Sequence, residues 1–178
     1  ASAGHVRVFS NNEGTWKQVG SDIDGEANFD NSGESVSLSA DGSVVAIGAI
    51  FNADNGSDAG HVRVFRNMND TWVQIGSDID GKAYDYFGLT VSLNSDGSVV
   101  AIGGRANEGN IPSGGVVRIY ENLKESWIQV GSDIVGEAKD DQSGYSISLS
   151  DDGNTVAIGA LYNDGNGSNS GHVRVYKN

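Results

Sequence analysis

A chain of 178 residues is long enough for one domain with a sizeable core, and 26 Gly beside a single Pro, among abundant Asn, Asp and Ser, describe a backbone that turns often between short strands. The formal charge of −13 argues against nucleic acid and anionic membranes as partners, because both are bound by Lys and Arg neutralising phosphates. With no Cys there is neither a disulfide framework nor a thiolate metal site, and no run approaches the roughly 18 apolar residues of a membrane-spanning helix.

The chain opens with no basic, apolar leader, which reads as a mature form or an excerpt, and reaches at once the motif Gly4-His5-Val6-Arg7-Val8. The motif returns at Gly60, at Gly115 as GVVRI, and at Gly171, spaced 56, 55 and 56 residues apart. A repeat near 55 residues therefore organises the whole sequence. The missing residue lies between Gly81 and Gly88, and a deletion of this kind is expected in a loop.

Four short segments in each period carry strand signals. The first, Ser35 to Ser39, recurs from Thr90 and Ser146 and alternates apolar with small polar residues. The second, Val44 to Gly48, recurs from Val99 and Thr155, and the Asp-Gly pairs at Asp41, Asp96 and Asp152 predict tight hairpins between first and second strands. An eleven-residue loop rich in Asn, Asp and Gly leads to the third, His61 to Phe65, with Val62 and Val64 on one face and His61, Arg63 and Phe65 on the other. The fourth, Trp72 to Ile75, has copies at Trp16 and Trp127, and an irregular connection follows it.

Four antiparallel strands per period predict an all-β fold of β-propeller-type blades, because a β-solenoid usually has much shorter coils. The run Asp85-Tyr86-Phe87-Gly88, followed by TVSLNSDGSVVAIGG and GVVRIY, resembles the FG-GAP repeat of integrin α-chain propellers and of many secreted proteins. It recurs from Asp30 and Asp141, although only Phe87 keeps the aromatic of the FG pair and the proline of GAP is absent. The resemblance implies that strands run from inner to outer within a blade. Residues 1–32 are then the second half of a blade, 33–87 and 88–143 are complete blades, and 144–178 supply three strands of another. That is about three blades' worth, too little to close a ring, so the chain is expected to meet the remaining blades of a longer chain or to self-associate.

The resemblance also implies a calcium loop between strands one and two, but Asp41, Asp96 and Asp151-Asp152 supply too few carboxylates for a hard cation, and the Asp-Gly pairs read as turns. Alternate acids in Asp22-Ile23-Asp24-Gly25-Glu26 decay to Asp78, Asp80 and Lys82 and to Asp133, Val135 and Glu137, so turn and capping roles are expected there. The loop between strands two and three has the highest oxygen density. Its candidate calcium ligands are Asp54 and Asp58 in one copy and Asp164, Asn166 and Ser168 in another, with a flexible polar turn as the alternative. The middle copy, with Asn107, Glu108, Asn110 and Pro112, breaks the pattern. Asn55, Asn69 and Asn166 head glycosylation sequons.

His5, His61 and His172 sit a full blade apart and cannot share one ion, so structural roles are expected of them. Arg7, Arg63, Arg118 and Arg174 keep one place in every copy and are expected to pair with acids such as Asp22, Asp78 or Asp133. Trp16, Trp72 and Trp127 are either inter-blade packing or platforms for sugar rings. No Ser-His-Asp, paired-carboxylate or Cys-based set stands out, and the sequence reads as not an enzyme. The functional expectation is an extracellular or cell-surface protein of adhesion, recognition or structural assembly with protein or glycan partners. A lectin-like propeller is the alternative, and accessory blades of a larger secreted enzyme a third reading.

Overall fold

A computed structural model describes residues 2–105 and 114–178. Asn107, Glu108, Asn110 and Pro112 lie outside the described residues. The strand segments are, in chain order, β1 His5–Val6, β2 Phe9–Asn12, β3 Thr15–Gln18, β4 Ile23–Asp24, β5 Ser35–Leu38, β6 Val44–Ala49, β7 His61–Asn67 and β8 Trp72–Gln74. They continue as β9 Ile79–Asp80, β10 Thr90–Leu93, β11 Val99–Gly104, β12 Val116–Asn122, β13 Trp127–Val135, β14 Ser143–Leu149, β15 Thr155–Ala160 and β16 His172–Lys177.

The described residues are all-β, in antiparallel meanders that do not close into a ring. β5-β6-β7-β8 form one blade, with β9 also on β7, and β10-β11-β12-β13 form the next. β14-β15-β16 form a three-stranded sheet, while β1 with β4 and β2 with β3 make the outer half of the first blade. The fourth strand is longer than its sequence signal. It continues past a Gly-Ser irregularity into β4 and β9, and β13 runs through it without interruption.

A repeated side-chain clamp explains that continuation. Gln18, Gln74 and Gln129 each donate across the irregularity to Asp22, Asp78 and Asp133, at 2.7, 2.6 and 2.9 Å. The clamp holds the extra residues out of the ladder while Ile23, Ile79 and Ile134 return to it, as bulged strands do.

The hairpins after the first strands also differ from the tight turns expected. Leu38 pairs with Val45, so the loop is longer than two residues, and only Gly42 in it has positive φ, at 71°. Asp41 makes the turn instead, its Oδ1 accepting from the Ser43 amide at 2.9 Å and the Ser39 hydroxyl at 2.8 Å.

Alternation in the innermost strands has a physical cause. The Ser37 hydroxyl accepts from the Leu93 amide of the next blade at 2.9 Å, and the Ser92 hydroxyl accepts from the Leu149 amide at 3.0 Å. Small polar residues thus tie adjacent inner strands where no ladder connects them.

The core lies between sheets. Val6 and Ile23 of the first blade pack with Val45, Ile47 and Phe65 of the second. The other face of the second blade, with Val44, Ala46, Val62, Val64, Ile75 and Ile79, packs with Phe87, Val91, Leu93, Val100 and Ile102. Ala101 and Val117 then meet Leu149, Val156 and Ile158 of the last sheet. Each complete blade buries both faces, so its second strand is apolar on both sides, while its third strand pairs an apolar face with a buried arginine, Arg63 or Arg118, on the other.

Candidate functional site

Each connection from a fourth strand to the next blade passes over the start of a third strand. The Gly25 amide donates to the Gly4 carbonyl at 2.9 Å, Gly81 to Gly60 at 2.9 Å, and Gly136 to Gly115 at 3.0 Å. A Cβ on Gly60, at φ 67°, would collide with the backbone of Phe87, so the Gly of the repeated motif is fixed by close approach of two chains.

The persistent Asp of this connection is buried and organises it. Asp30, Asp85 and Asp141 accept from the amides of Ala27, Lys82 and Ala138, each at 3.0 Å. Lys82 therefore occupies the place of the two alanines. The residue missing from the middle copy is the glutamate that the others carry as Glu26 and Glu137.

That loss changes the charge pairing between blades. Glu26 lies 3.4 Å from Arg63 Nη1 through Oε1 and 3.8 Å from His61 Nδ1 through Oε2. Glu137 repeats the arrangement with Arg174, and with His172 Nδ1 at 3.8 Å. Where the glutamate is missing, Arg118 turns to Asp85 at 2.9 Å and Asp133 at 3.1 Å, and Val116 stands where the other copies have His.

The arginines were expected to meet Asp22, Asp78 or Asp133. Arg7 meets Asp22 at 3.2 Å and Arg118 meets Asp133, whereas Arg63 takes Glu26 and the Asp24 carbonyl, at 2.6 Å. Asp78 faces His61 instead, with Oδ2 at 3.7 Å from Nδ1. Desolvation first, then the charge of Asp78, raises the Asp80 carboxyl above its ordinary value, and His61 opposes the shift. Sequence reasoning asked whether the histidines could share an ion and missed that each meets acids of its own. The signal available was the joint loss of Glu and His in the middle copy.

The oxygen-rich loops place the calcium candidates in turns. Asp54 accepts from Asn52 Nδ2 at 3.4 Å, and Asp58 Oδ2 accepts from the Tyr86 hydroxyl at 3.4 Å. Asp164 Oδ1 accepts from the Asn169 amide at 2.7 Å, with Asn166 and Ser168 exposed beside it. Asn55, Asn69 and Asn166 are all exposed, and Asn55 Nδ2 donates to the Gly81 carbonyl at 2.8 Å.

Trp72 and Trp127 lie where one blade meets the next. Trp72 Nε1 donates to the Val19 carbonyl and Trp127 Nε1 to the Ile75 carbonyl, each at 2.9 Å, and both indoles pack against core clusters. Trp16, at the same place in the first blade, is exposed.

The class of protein that fold and repeat define is a propeller repeat domain. The FG-GAP repeat model matches residues 136–176, the last connection and the sheet that follows it. No curated protein sequence matches the chain. A "putative 6-phosphogluconolactonase" from Bacteroides uniformis superposes with a TM-score of 0.64 at 14% identity, over 99% of this chain and 45% of that one. Another "putative 6-phosphogluconolactonase", from Bacteroides fragilis, gives 0.52 at 17% identity, over 78% and 35%. The chain therefore spans less than half the length of either.

These neighbours correct one expectation. The sequence read as not an enzyme because no catalytic set recurs, yet proteins named as enzymes share this arrangement of blades. The architecture does not exclude catalysis. At these identities the likeness shows the fold alone.

Proposed function

We propose that this repeat domain works by docking, as part of an extracellular or cell-surface assembly for adhesion or recognition, and that its end sheets receive further blades of the same kind. One observation carries the reading. Val173 and Val175 in the last sheet are 68% and 66% exposed, whereas Val62 and Val64 at the same repeat positions are 0% and 1% exposed between two blades. At the other end, Val36 and Leu38 are exposed, whereas Val91 and Leu93 are buried. Each open face thus presents side chains that a neighbouring blade covers elsewhere in this molecule, and the apolar area supplies the drive to cover it. The acidic surface and the resemblance to the FG-GAP repeats of integrin α-chains and secreted proteins support the extracellular setting. The candidate sequons at Asn55, Asn69 and Asn166 agree with it.

The test is the mass of the chain in solution by multi-angle light scattering, for the wild type and for Leu38→Glu and Val175→Glu. The expected result is association in the wild type that either charge reduces. A folded wild-type monomer of 18.5 kDa at every concentration overturns the proposal.

A further inference from the structure

His61 is 1% exposed, and its Nδ1 has no hydrogen-bond partner. A buried ring nitrogen normally has one, because leaving it unpaired costs its full desolvation. Two carboxylate oxygens point at this atom from different blades, Asp78 Oδ2 at 3.7 Å and Glu26 Oε2 at 3.8 Å, both too far for a hydrogen bond. The second oxygen of each carboxylate is already engaged. Asp78 Oδ1 accepts from Gln74 at 2.6 Å and Glu26 Oε1 faces Arg63 Nη1 at 3.4 Å. Three lone-pair atoms therefore converge within 4.8 Å, and among the described residues this is the group of three or more metal-ligating side chains that does so.

We propose that Glu26, His61 and Asp78 bind one divalent transition-metal ion of the zinc class, which pins the first blade to the second. An imidazole nitrogen with two carboxylate oxygens suits zinc, whereas calcium takes oxygen ligands. Bonds of about 2.0–2.1 Å in tetrahedral array place neighbouring ligand atoms roughly 3.4 Å apart. The two distances from His61 Nδ1, 3.7 and 3.8 Å, are a few tenths of an ångström longer, and the two carboxylate oxygens, which lie within 4.8 Å of each other, draw together as the ion is bound. Gln74 fixes the Asp78 carboxylate and Arg63 steadies Glu26, the kind of outer contact that orients metal ligands. Arg63 meets Glu26 Oε1, and Oε2 is the oxygen that faces His61.

The repeats supply an independent argument. The glutamate and the histidine are lost together. The middle copy lacks the glutamate, has Val116 in place of the histidine, and keeps only Asp133. There the ammonium of Lys82 lies 3.7 Å from Asp133 Oδ2, so a fixed cation stands beside the acid that is equivalent to Asp78. Where parts of the set occur elsewhere, His172 meets Glu137 through the same Nδ1 at 3.8 Å, and His5 meets Asp22 through Nε2 at 3.9 Å. Lys82, which argued from sequence against a metal in every blade, marks the blade that does without one.

The inference is independent of the docking reading, and zinc chloride tests it. Calorimetric titration of the wild type should give one site per chain that Gln74→Ala weakens about 10-fold, as outer contacts do, and that His61→Val weakens about 100-fold or more. His61→Val copies the residue of the middle repeat, and its circular dichroism and thermal transition without zinc verify folding. If it fails to fold, Asp78→Asn serves in its place with the same expected loss. Cobalt(II) in place of zinc should show visible bands of low-coordinate geometry in the wild type and lose them in the variant. His172→Val should leave the tight site intact. The proposal is overturned if the wild type binds no zinc, if folded His61→Val or Asp78→Asn binds as tightly as the wild type, or if His172→Val abolishes the site.

Discussion

Arg7 and Arg118 are the same repeat residue in different surroundings, and the structure predicts very unequal costs for removing them. Arg118 is 5% exposed, bonded to Asp85 at 2.9 Å and Asp133 at 3.1 Å, with its guanidinium 4.9 Å from the centre of the Phe87 ring. Desolvation pulls its pKa down, but the charges of Asp85 and Asp133 overcome that and raise it, so the guanidinium stays charged. Arg118→Met strands the Asp85 carboxylate, itself only 10% exposed, and breaking a buried pair in this way costs about 3–5 kcal/mol. Against a total stability of roughly 5–15 kcal/mol that is a large share. Arg7 is 47% exposed and bonded to Asp22 at 3.2 Å, so Arg7→Met should cost no more than about 1 kcal/mol. Urea unfolding followed by tryptophan fluorescence reads the difference. With a slope near 2 kcal/mol per molar, the Arg118→Met midpoint should fall by roughly 2 M and that of Arg7→Met by less than about 0.5 M. Arg118→Met with Asp85→Asn should recover part of the loss, because the stranded charge is then gone. Equal costs for the two single variants would refute the argument from burial.

Gly42 and Gly97 make the same turn, at φ 71° and 72°, but an added Cβ meets nothing at Gly42 and lies 2.7 Å from Val44 Cβ at Gly97. Gly42→Ala should cost only the left-handed strain of about 1–2 kcal/mol, and Gly97→Ala about 1–3 kcal/mol more from overpacking, by thermal unfolding; matching losses would contradict the packing of this turn against the preceding blade. The Asp41 carboxyl is held at about 2, below its ordinary 3.8, by the Ser43 amide, the Ser43 hydroxyl and the Ser39 hydroxyl. A lowered folded-state pKa contributes stability that is complete above the unfolded value and lost as pH falls through the folded one, so this contribution disappears between about pH 4 and pH 2. Ser43→Ala should raise the Asp41 titration toward 3.8, read by carboxyl-carbon NMR; an ordinary midpoint in the wild type would sink the assignment.

The period, the four strands per blade and the unclosed array were legible in the sequence because blade packing imposes the same demand at the same place in each copy. Branched residues at Val45, Ile47, Val62 and Val64 are buried on both sides of a sheet, and Ser37 and Ser92 reach across to the next inner strand. The extent of the fourth strand was not legible. It depends on the clamp from Gln74 to Asp78, a side-chain bond across a bulge that leaves no periodic signature.

What the sequence determined by itself is the repeat, and through it the order of the strands within each blade, since a hydrophobic pattern tied to a fixed period recurs at the same place in every copy. Tertiary structure decided which copies of a repeated residue are equivalent. Trp16 and Trp72, or Arg7 and Arg118, are identical in sequence and differ only in whether a neighbouring blade removes them from water. It also decided that Glu26, His61 and Asp78, each unremarkable in its own segment, meet at one point. The chain crosses that interface from two blades, and proximity between blades is a property of the packed array.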